Sequence, residues 1–351
     1  MSYEIGRKII NLEPTPRVGR TEYCFCYPSL IESVSGLNPL IPGSRDMDNE
    51  ALRIFFDFVE FDFLWASHDG PEWKGRTTSM GHGVFWENGT DLDYKVGCPF
   101  QDPDEVLSFD AAAEYGLADI TEWTAKYQQI ADEGRKNFPD LVYPGGYYKT
   151  IVSGAISAFG WDMLLMAAGL DPKKFGEDVL EGIFKISREC IKAWAQTDIE
   201  CFVAHDDMVW TEGAIFKPEF YREYIFPRYK ELWRPLKEKG IKVLFCSDGN
   251  FTEFIDDIAW AGADGFIMEP LTSMEYIAEK YGKTHVIVGN ADVRILTWGT
   301  KEEIKKEVER CMKVAKDCPG FIMAVGNQIP ANVPLENVFY YFDLVREMGK
   351  R

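Results

Sequence analysis

Basic residues are scarce in this sequence, and long apolar runs are missing. Lysine and arginine number 38 against 57 aspartates and glutamates, which gives a formal net charge of −19. A surface of that charge repels phosphate backbones and anionic lipid, so we expect neither nucleic acid nor a membrane as a partner. The longest apolar stretches, such as WDMLLMAAGL at 161–170, are far shorter than the roughly 20 residues that span a bilayer.

Several short motifs are also missing. The first residues, MSYEIGRKII, contain no apolar signal core and no small-residue cleavage site, which predicts a cytoplasmic location. The eight cysteines form no C-x-x-C pair, and such spacing in a large cytosolic chain indicates free thiols. Neither G-x-G-x-x-G nor G-x-x-x-x-G-K-[ST] occurs, which argues against dinucleotide and nucleotide folds.

The second half of the sequence repeats one unit, namely a short β-rich apolar run, a polar loop and an amphipathic helix. The runs are IECFVAHDD, KVLFCSDGN, DGFIMEP, HVIVGNAD and GFIMAVGNQIP. Thr300 with Glu303 forms a capping box at one helix start, and Gly240 is placed to end another helix. Repeated alternation of this kind predicts parallel strands joined by right-handed helical crossovers.

The same alternation extends upstream, where DFVEFDFLWASHDG (57–70) and LVYPGGYYKTIVSG (141–154) supply further strand candidates. We therefore predict a single (β/α)8 barrel of the TIM type that occupies residues 1–351 as one domain. Residues 1–50 are interpreted as an N-terminal extension. The glycine- and aromatic-rich region at about 71–140 is interpreted as an insertion over one mouth of the barrel.

Polar side chains follow five successive predicted strands. In a closed βα barrel the strand ends converge on one opening, where the reacting groups lie. Any single member could instead cap a helix, as Asp248 and Asn250 could do for the helix near Phe251. Five successive ends with a carboxylate, thiol or amide nevertheless predict a site. Its members are His205, Asp206 and Asp207, then Cys246, Asp248 and Asn250, then Glu269, then Asn290 and Asp292, then Asn327 and Gln328.

This residue set suggests specific roles. Zinc accepts thiolate and carboxylate ligands together, so Cys246, Glu269 and Asp248 are the predicted metal ligands. A buried structural cysteine, or a nucleophilic Cys246 activated by His205, is the alternative. The predicted catalytic residues are Asp207, Asp206 and His205. The predicted substrate-binding residues, which include aromatic side chains that could form flat walls, are Trp210, Tyr147, Phe85, Asn290, Asp292 and Asn327.

Residues from about 205 to 345 resemble the C-terminal half of the uroporphyrinogen decarboxylase superfamily, which includes corrinoid-dependent methyltransferases. The matching stretches are DDMVWTEGAIFKPEFYREYIFPRYKELWRPLKEKGIKVLF, GNFTEFIDDIAWAGADG, GNADVRILTWGTKEEIKKEV and VGNQIPANVPLENV. The resemblance implies the same (β/α)8 barrel.

Two departures from the superfamily pattern restrict which of its reactions the resemblance implies. The arginine-rich R-Q-A-G-R type segment of the decarboxylases is replaced by RVGRTEYCFCYP. In the thiol-directed methyltransferases zinc is bound by a His-x-Cys-Gly turn and a later cysteine, and these positions align here with Cys246, Asp248 and Asn327. The resemblance therefore implies transfer of a methyl group from a small methylated compound, above all a methoxylated aromatic, to a corrinoid on a partner protein. Decarboxylation of a small or tetrapyrrole acid and a non-catalytic binding barrel remain the alternatives.

Overall fold

Parallel strands form a barrel in the computed structural model, which describes residues 1–42, 47–78, 80 and 97–351. The strands are β1 (Gly19–Arg20), β2 (Gly145–Tyr147), β3 (Cys201–His205), β4 (Val209–Trp210), β5 (Gly213–Ala214), β6 (Lys242–Ser247), β7 (Gly265–Met268), β8 (Val286–Val288) and β9 (Phe321–Met323). β4 and β5 form a short antiparallel hairpin. The other strands form one sheet in the order β1-β9-β8-β7-β6-β3-β2.

The segment 62–64 closes this sheet into a barrel by filling the gap between β1 and β2. The amide of Asp62 donates a hydrogen bond of 3.0 Å to the carbonyl of Arg20. On the other side, the amides of Val142 and Leu64 continue the ladder over 2.9 Å each, and Phe63 pairs with Val142 in parallel. Eight segments therefore close the ring, and the predicted TIM-type (β/α)8 barrel is confirmed.

Side chains along each strand alternate between the barrel interior and the surrounding helices, as strand geometry requires. On β3, Cys201 and Val203 belong to the interior cluster, whereas Phe202 packs in the layer between sheet and helices. His205 and Asp207 continue the inward-facing series at the carboxyl end of the strand. Strand periodicity therefore directs these two polar side chains into the mouth of the barrel.

Helices cover the outside of the barrel with their apolar faces. They are α1 (Tyr3–Ile10), α2 (Pro28–Ser35), α3 (Asn49–Val59), α4 (Pro103–Leu107), α5 (Ala111–Tyr115), α6 (Ile120–Asn137), α7 (Val152–Leu170), α8 (Pro172–Lys174), α9 (Leu180–Trp194), α10 (Pro218–Phe220), α11 (Phe226–Glu238), α12 (Ile255–Ala261), α13 (Met274–Tyr281), α14 (Val293–Trp298), α15 (Lys301–Ala315) and α16 (Leu335–Met348). The capping box of Thr300 and Glu303 is confirmed at the start of α15. Gly240 follows α11 with a positive φ of 75°, a conformation that glycine adopts without strain.

Two boundaries inferred from the sequence are wrong. β1 lies within residues 1–50, so the region interpreted as an extension supplies a barrel strand. Residues 120–137, placed in the insertion, form α6, which packs against α9 in the outer helix layer. A strand of two residues shows no detectable alternation. The largely polar sequence of α6 conceals its narrow apolar face.

Helix α7 is long and apolar enough to cross a membrane by length and composition alone, and it is the only such helix in the described ranges. The apolar stretch at 161–170 is only the second half of this helix, because the helix begins at residue 152 and continues through a kink at Gly160. Within the protein, 61% of its apolar window is buried. A core helix passes the same test, and burial against the barrel accounts for the composition of α7.

Helix α1 covers the amino-terminal end of the barrel. Ile9 and Ile10 pack into the interior cluster beneath the strands. Gly6 allows this close approach, because a Cβ atom at its position would collide with the backbone carbonyl of Asp62. The bottom of the barrel is therefore sealed by apolar side chains, and access to the interior is from the opposite mouth.

We predict that Gly6→Ala lowers the free energy of unfolding by about 2 kcal/mol, because overpacking against fixed backbone costs about 1–3 kcal/mol. Gly169→Ala is the matched control, since a Cβ there meets no atom within 4 Å and alanine favours the helix. Urea unfolding followed by circular dichroism measures both. Equal stability of the two variants would contradict the proposed packing of α1.

Candidate active site

His205, at the end of β3, is held between a carboxylate and an aromatic ring. Its Nε2 lies 3.2 Å from Oδ1 of Asp207, and its Nδ1 lies 3.4 Å from the backbone carbonyl of Tyr148. The ring of Tyr148 stacks on the imidazole at 4.3 Å between centroids and 14° between planes. Both ring nitrogens therefore face acceptors, which is the environment that an imidazolium requires.

Three carboxylates from neighbouring strands meet in one hydrogen-bond network beside His205. The amide of Asp248 donates to Oδ1 of Asp207 over 3.0 Å, and the amide of Gly249 donates to Oε2 of Glu269 over 2.7 Å. The side-chain amide of Asn327 bridges the other two acids, with 3.2 Å to Oδ1 of Asp248 and 3.2 Å to Oε1 of Glu269. Asp207, Asp248, Glu269 and Asn327 therefore share the mouth, as the sequence pattern suggests.

Aromatic side chains line the same mouth. Trp65 is partly buried and packs against the interior cluster of the barrel, which includes Cys246. Its ring lies 6.3 Å from that of Tyr23 in an edge-to-face arrangement. Tyr148 provides a flat surface beside His205, and Trp65 provides another against the barrel interior. Sequence reasoning did not single out Trp65, although it follows inward-facing Phe63 by two residues and the alternation along that segment indicates its direction.

The neighbouring charges shift the ionisation of these groups. Burial by itself would lower the pKa of His205, but the charge and hydrogen bond of Asp207 raise this pKa to about 9. Desolvation, followed by repulsion from Asp207 and Glu269, raises the pKa of Asp248 to about 8, although its side chain is open to the mouth. At pH 7 the mouth therefore holds a positively charged imidazole and an uncharged carboxyl group, and both can donate protons.

Cys246 faces the mouth as an uncharged thiol. Burial, followed by the charges of Asp248 and Asp207, raises the pKa of Cys246 well above its usual range. The thiolate is the reactive form of cysteine, and these surroundings oppose its formation. The structure therefore does not support the alternative of a nucleophilic Cys246 activated by His205.

Comparison with known proteins identifies the family. The sequence model for "Uroporphyrinogen decarboxylase (URO-D)" matches residues 155–348, which is more than half of the chain. The protein belongs to the uroporphyrinogen decarboxylase family. The enzyme of that name from Thermus thermophilus is 27% identical over 180 residues, which cover 50% of this chain and 51% of the relative. The one from Carboxydothermus hydrogenoformans is 28% identical over 132 residues, 38% of this chain and 37% of the relative.

This family member spans about half the length of the first curated relative that it matches. A solved structure described as a methyltransferase from Methanosarcina mazei covers 99% of both chains with a TM-score of 0.65, at 16% sequence identity. That likeness shows a shared fold along the whole chain. The substrates of these relatives apply to this uroporphyrinogen decarboxylase family member only as proposals.

Asp206 does not join the other predicted catalytic residues. Its carboxylate points away from the mouth and accepts hydrogen bonds from the backbone amides at the start of α7, at 3.1 Å from Ile151 and 2.6 Å from Ser153. The hydroxyl of Tyr229 donates to the same carboxylate. Asp206 therefore anchors α7 to the end of β3, and the alternation along the strand explains why it faces away from Asp207.

The predicted aromatic residues do not lie together in the mouth. Tyr147 is fully buried in the layer between sheet and helices, so placing it in the mouth is wrong by one residue; Tyr148 faces the mouth instead. Trp210 is half exposed in the β4–β5 hairpin, and its ring lies 5.6 Å from that of Trp161. Phe85 lies outside the described residues.

Asn290 and Asp292 have structural contacts rather than positions in the network. The side-chain amide of Asn290 donates to the carbonyls of Glu269 and Thr272, and its oxygen accepts from Arg310. Asp292 caps α14 and pairs with Arg294 over 2.7 Å. These polar residues hydrogen-bond to the adjoining loops and helices. The sequence alone does not distinguish this structural role from substrate binding.

The residues predicted to bind zinc do not fit a metal ion as they are arranged. No three His, Cys, Asp or Glu side chains in the described part of the chain are grouped so that they could hold one. The carboxylate of Glu269 accepts hydrogen bonds from Gly249 and Asn327, and burial keeps Cys246 as an uncharged thiol. Zinc therefore stays a prediction, and no step of the chemistry below depends on it.

We predict that His205 titrates near pH 9 and that Asp207→Asn moves this titration to markedly lower pH. A pKa above the unfolded value of about 6.5 means that folding favours the protonated ring. The resulting stabilisation is complete below about pH 6.5 and is lost as the pH rises through about 9. Heteronuclear NMR of the imidazoles measures this, with His285 as an internal control. Titration of wild-type His205 at or below its ordinary pKa would contradict the ion pair.

We predict that Asp206→Ala lowers the free energy of unfolding by about 3 kcal/mol, because hydrogen bonds to a charged group contribute about 1.5–3 kcal/mol and the amides of α7 would lose their acceptor. Tyr229→Phe, which removes one donor, should cost about 1 kcal/mol. Asp207→Ala, at the neighbouring mouth position, is the control and should cost less than Asp206→Ala. Denaturant unfolding measures all three variants. Asp206→Ala should be the least stable, and a result in which either other variant is less stable contradicts the anchoring role.

Proposed function

We propose that this protein transfers a methyl group from a small methylated compound to the cobalt of a corrinoid carried by a partner protein in the cytoplasm. The observation that carries this proposal is the sign of the charge in the barrel mouth. Asp207, Asp248 and Glu269 converge there. Even with Asp248 uncharged and His205 positively charged at pH 7, this mouth lacks the excess of positive charge that a substrate with many carboxylates, such as a porphyrinogen, requires.

The arginines near the beginning of the chain do not change this balance. Arg17 is bound by both carboxylate oxygens of Asp62, and Arg20 is paired with Glu60. Both are largely buried and turned toward these acids rather than into the mouth. Arg294 lies within electrostatic range of Glu269 but is paired with Asp292. The described residues therefore present no unpaired arginine that could receive a substrate carboxylate beside the network.

The fold resembles that of a solved methyltransferase over 99% of the chain, which supports the proposal at the level of architecture alone. In this proposal the aromatic walls orient the donor, and the open mouth admits the partner's corrinoid as the methyl acceptor. His205 and Asp248 can donate a proton to a departing oxygen. A methoxylated aromatic donor, which the sequence resemblance implies, would use that proton, and it remains a prediction.

Decarboxylation is the rival function, because it is the named activity of the curated relatives. One specific feature favours it, since the imidazolium of His205 could bind a single carboxylate. The pairing of His205 with Asp207 opposes this, because the imidazolium is already matched by an internal charge. The two functions differ in their products, which makes them separable in one assay.

We predict that the protein accelerates methylation of cobalamin reduced to the Co(I) state. Choline, methylamine, methanol, 2-methoxyphenol and 3-methoxybenzoate would be offered separately, and loss of the Co(I) absorbance would be followed. Asp207→Asn should lower kcat/KM at least about 10-fold, because a charge at this range contributes about 1–4 kcal/mol. Glu302→Gln, on an exposed face of α15, removes the same charge elsewhere and should leave the rate unchanged.

A parallel incubation with uroporphyrinogen tests the rival. Release of carbon dioxide without methylation of cobalt by any donor would sink the proposed function and assign the chain to the decarboxylases. Methylation that is unaffected by Asp207→Asn would place the reaction away from this mouth.

A further inference from the structure

The mouth combines flat aromatic faces with an excess of carboxylates, and this combination selects a class of methyl donor. We infer that the donor is a quaternary ammonium compound, bound with its cationic methylated nitrogen between the aromatic walls and the carboxylate network. This inference rests on the proposed methyl transfer and names the substrate that the same site would accept. Aromatic rings beside acids are the surroundings in which proteins hold quaternary ammonium groups.

The aromatic faces adjoin the acids directly. Tyr148 stacks on His205 at 4.3 Å and lies within electrostatic range of Asp207 and Asp248. Trp65 packs against the interior cluster that contains Cys246, and that thiol lies within electrostatic range of all three carboxylates. We place the cation beside these carboxylates, with Tyr148 and Trp65 as its aromatic neighbours.

The described cations do not neutralise the three acids. His205 matches Asp207, and Arg294 is matched by Asp292 outside the network. Among the described residues, the hydrogen-bond donors to Asp248 and Glu269 are amides, from Asn327 and from the backbone of Gly249. Asp207 is matched by His205 and Asp248 is protonated at pH 7, so Glu269 is the network carboxylate without a described ion-pair partner, and a ligand that brings one positive charge can supply it. A neutral ether gains nothing from this field, and an anionic methoxybenzoate is opposed by it.

An organic cation suits the described residues better than a metal ion. Metal ligands must converge on one point at about 2.0–2.6 Å, and the described side chains form no such group of three. A quaternary ammonium group spreads its charge over its methyl groups and needs no lone pair directed at a single point. Aromatic faces and carboxylates at ordinary contact distance are sufficient to bind it.

The chemistry balances without an added proton. The electron pair of Co(I) forms the new bond to carbon, and the electron pair of the carbon–nitrogen bond leaves with nitrogen as a neutral tertiary amine. Cobalt is formally oxidised by two electrons, and the cationic nitrogen gains that electron pair. The carboxylates bind the charged donor more strongly than the uncharged amine, which assists release of the product.

Binding can be measured without turnover by using choline and its uncharged isostere 3,3-dimethyl-1-butanol. The two ligands have the same shape and differ in the charge at the quaternary centre. By isothermal titration calorimetry of the full chain in EDTA, choline should bind at least about 30-fold more tightly than the alcohol. It should also bind more tightly than 3-methoxybenzoate. Equal affinity for choline and the alcohol, or tighter binding of the benzoate, overturns the inference.

Variants locate the site. Trp65→Leu and Glu269→Gln should each weaken choline binding about 10-fold, while Trp65→Phe, which keeps an aromatic face, should retain most of the affinity. Trp260→Leu is the matched aromatic control, because Trp260 is 55% exposed on α12 and its ring lies beneath Lys230. Glu302→Gln is the charge control. Loss of choline affinity in a control variant, or its retention in Trp65→Leu with native circular dichroism, contradicts the assigned position.

The Co(I) assay separates this inference from the proposed function. Choline binding with the expected variant pattern but no methylation of cobalt by any donor supports the cation site and refutes methyl transfer. Methylation of cobalt by ethers or methanol, with no reaction of choline or other quaternary ammonium donors, supports methyl transfer and refutes the cationic donor. Methylation by choline that is weakened by Trp65→Leu supports both.

Discussion

The two-residue alternation along β3 is the constraint on which the site depends. It separates three consecutive polar residues, so that His205 and Asp207 face the mouth while Asp206 faces the helix layer. The carboxylate of Asp206 accepts hydrogen bonds from the backbone amides at the start of α7. The hydroxyl of Ser153, in the same helix, accepts a hydrogen bond of 2.7 Å from the amide of Asp207. The anchor and the reactive pair are thus adjacent in sequence and opposite in direction. A shift of one residue in this strand would exchange their positions.

The ionisation states of the acids and the histidine in the mouth depend on one another across neighbouring strands. Asp207 supports the protonated form of His205 and at the same time opposes ionisation of Asp248. Asn327 connects Asp248 and Glu269 without supplying a charge. The ionisation of these acids therefore depends on the whole set, and in the proposed site their field would favour cationic over neutral and anionic ligands.

Membership of the uroporphyrinogen decarboxylase family gives the architecture, and the side chains of the mouth decide what that architecture can bind. Arg17 and Arg20 form ion pairs with Asp62 and Glu60, so these basic residues near β1 belong to the barrel wall. The barrel brings Trp65, Tyr148 and the carboxylates together from segments far apart in sequence. This mixture of aromatic and acidic groups differs in charge from what a polycarboxylate substrate requires.

The sequence by itself determined the barrel and much of the acid network, because strand alternation and helix periodicity are local and the carboxyl ends of parallel strands must converge. His205, Asp207, Asp248, Glu269 and Asn327 followed from that rule. Alternation requires neighbouring residues to face opposite ways, but tertiary structure decided which of them faces the mouth: Asp206 and Tyr147 face the helices, while Tyr148 faces the mouth. It also decided partners, since Asn290 and Asp292 bind neighbouring loops and helices. Position at a strand end is encoded locally, but which face a side chain takes and what it meets depend on register and on contacts made across the fold.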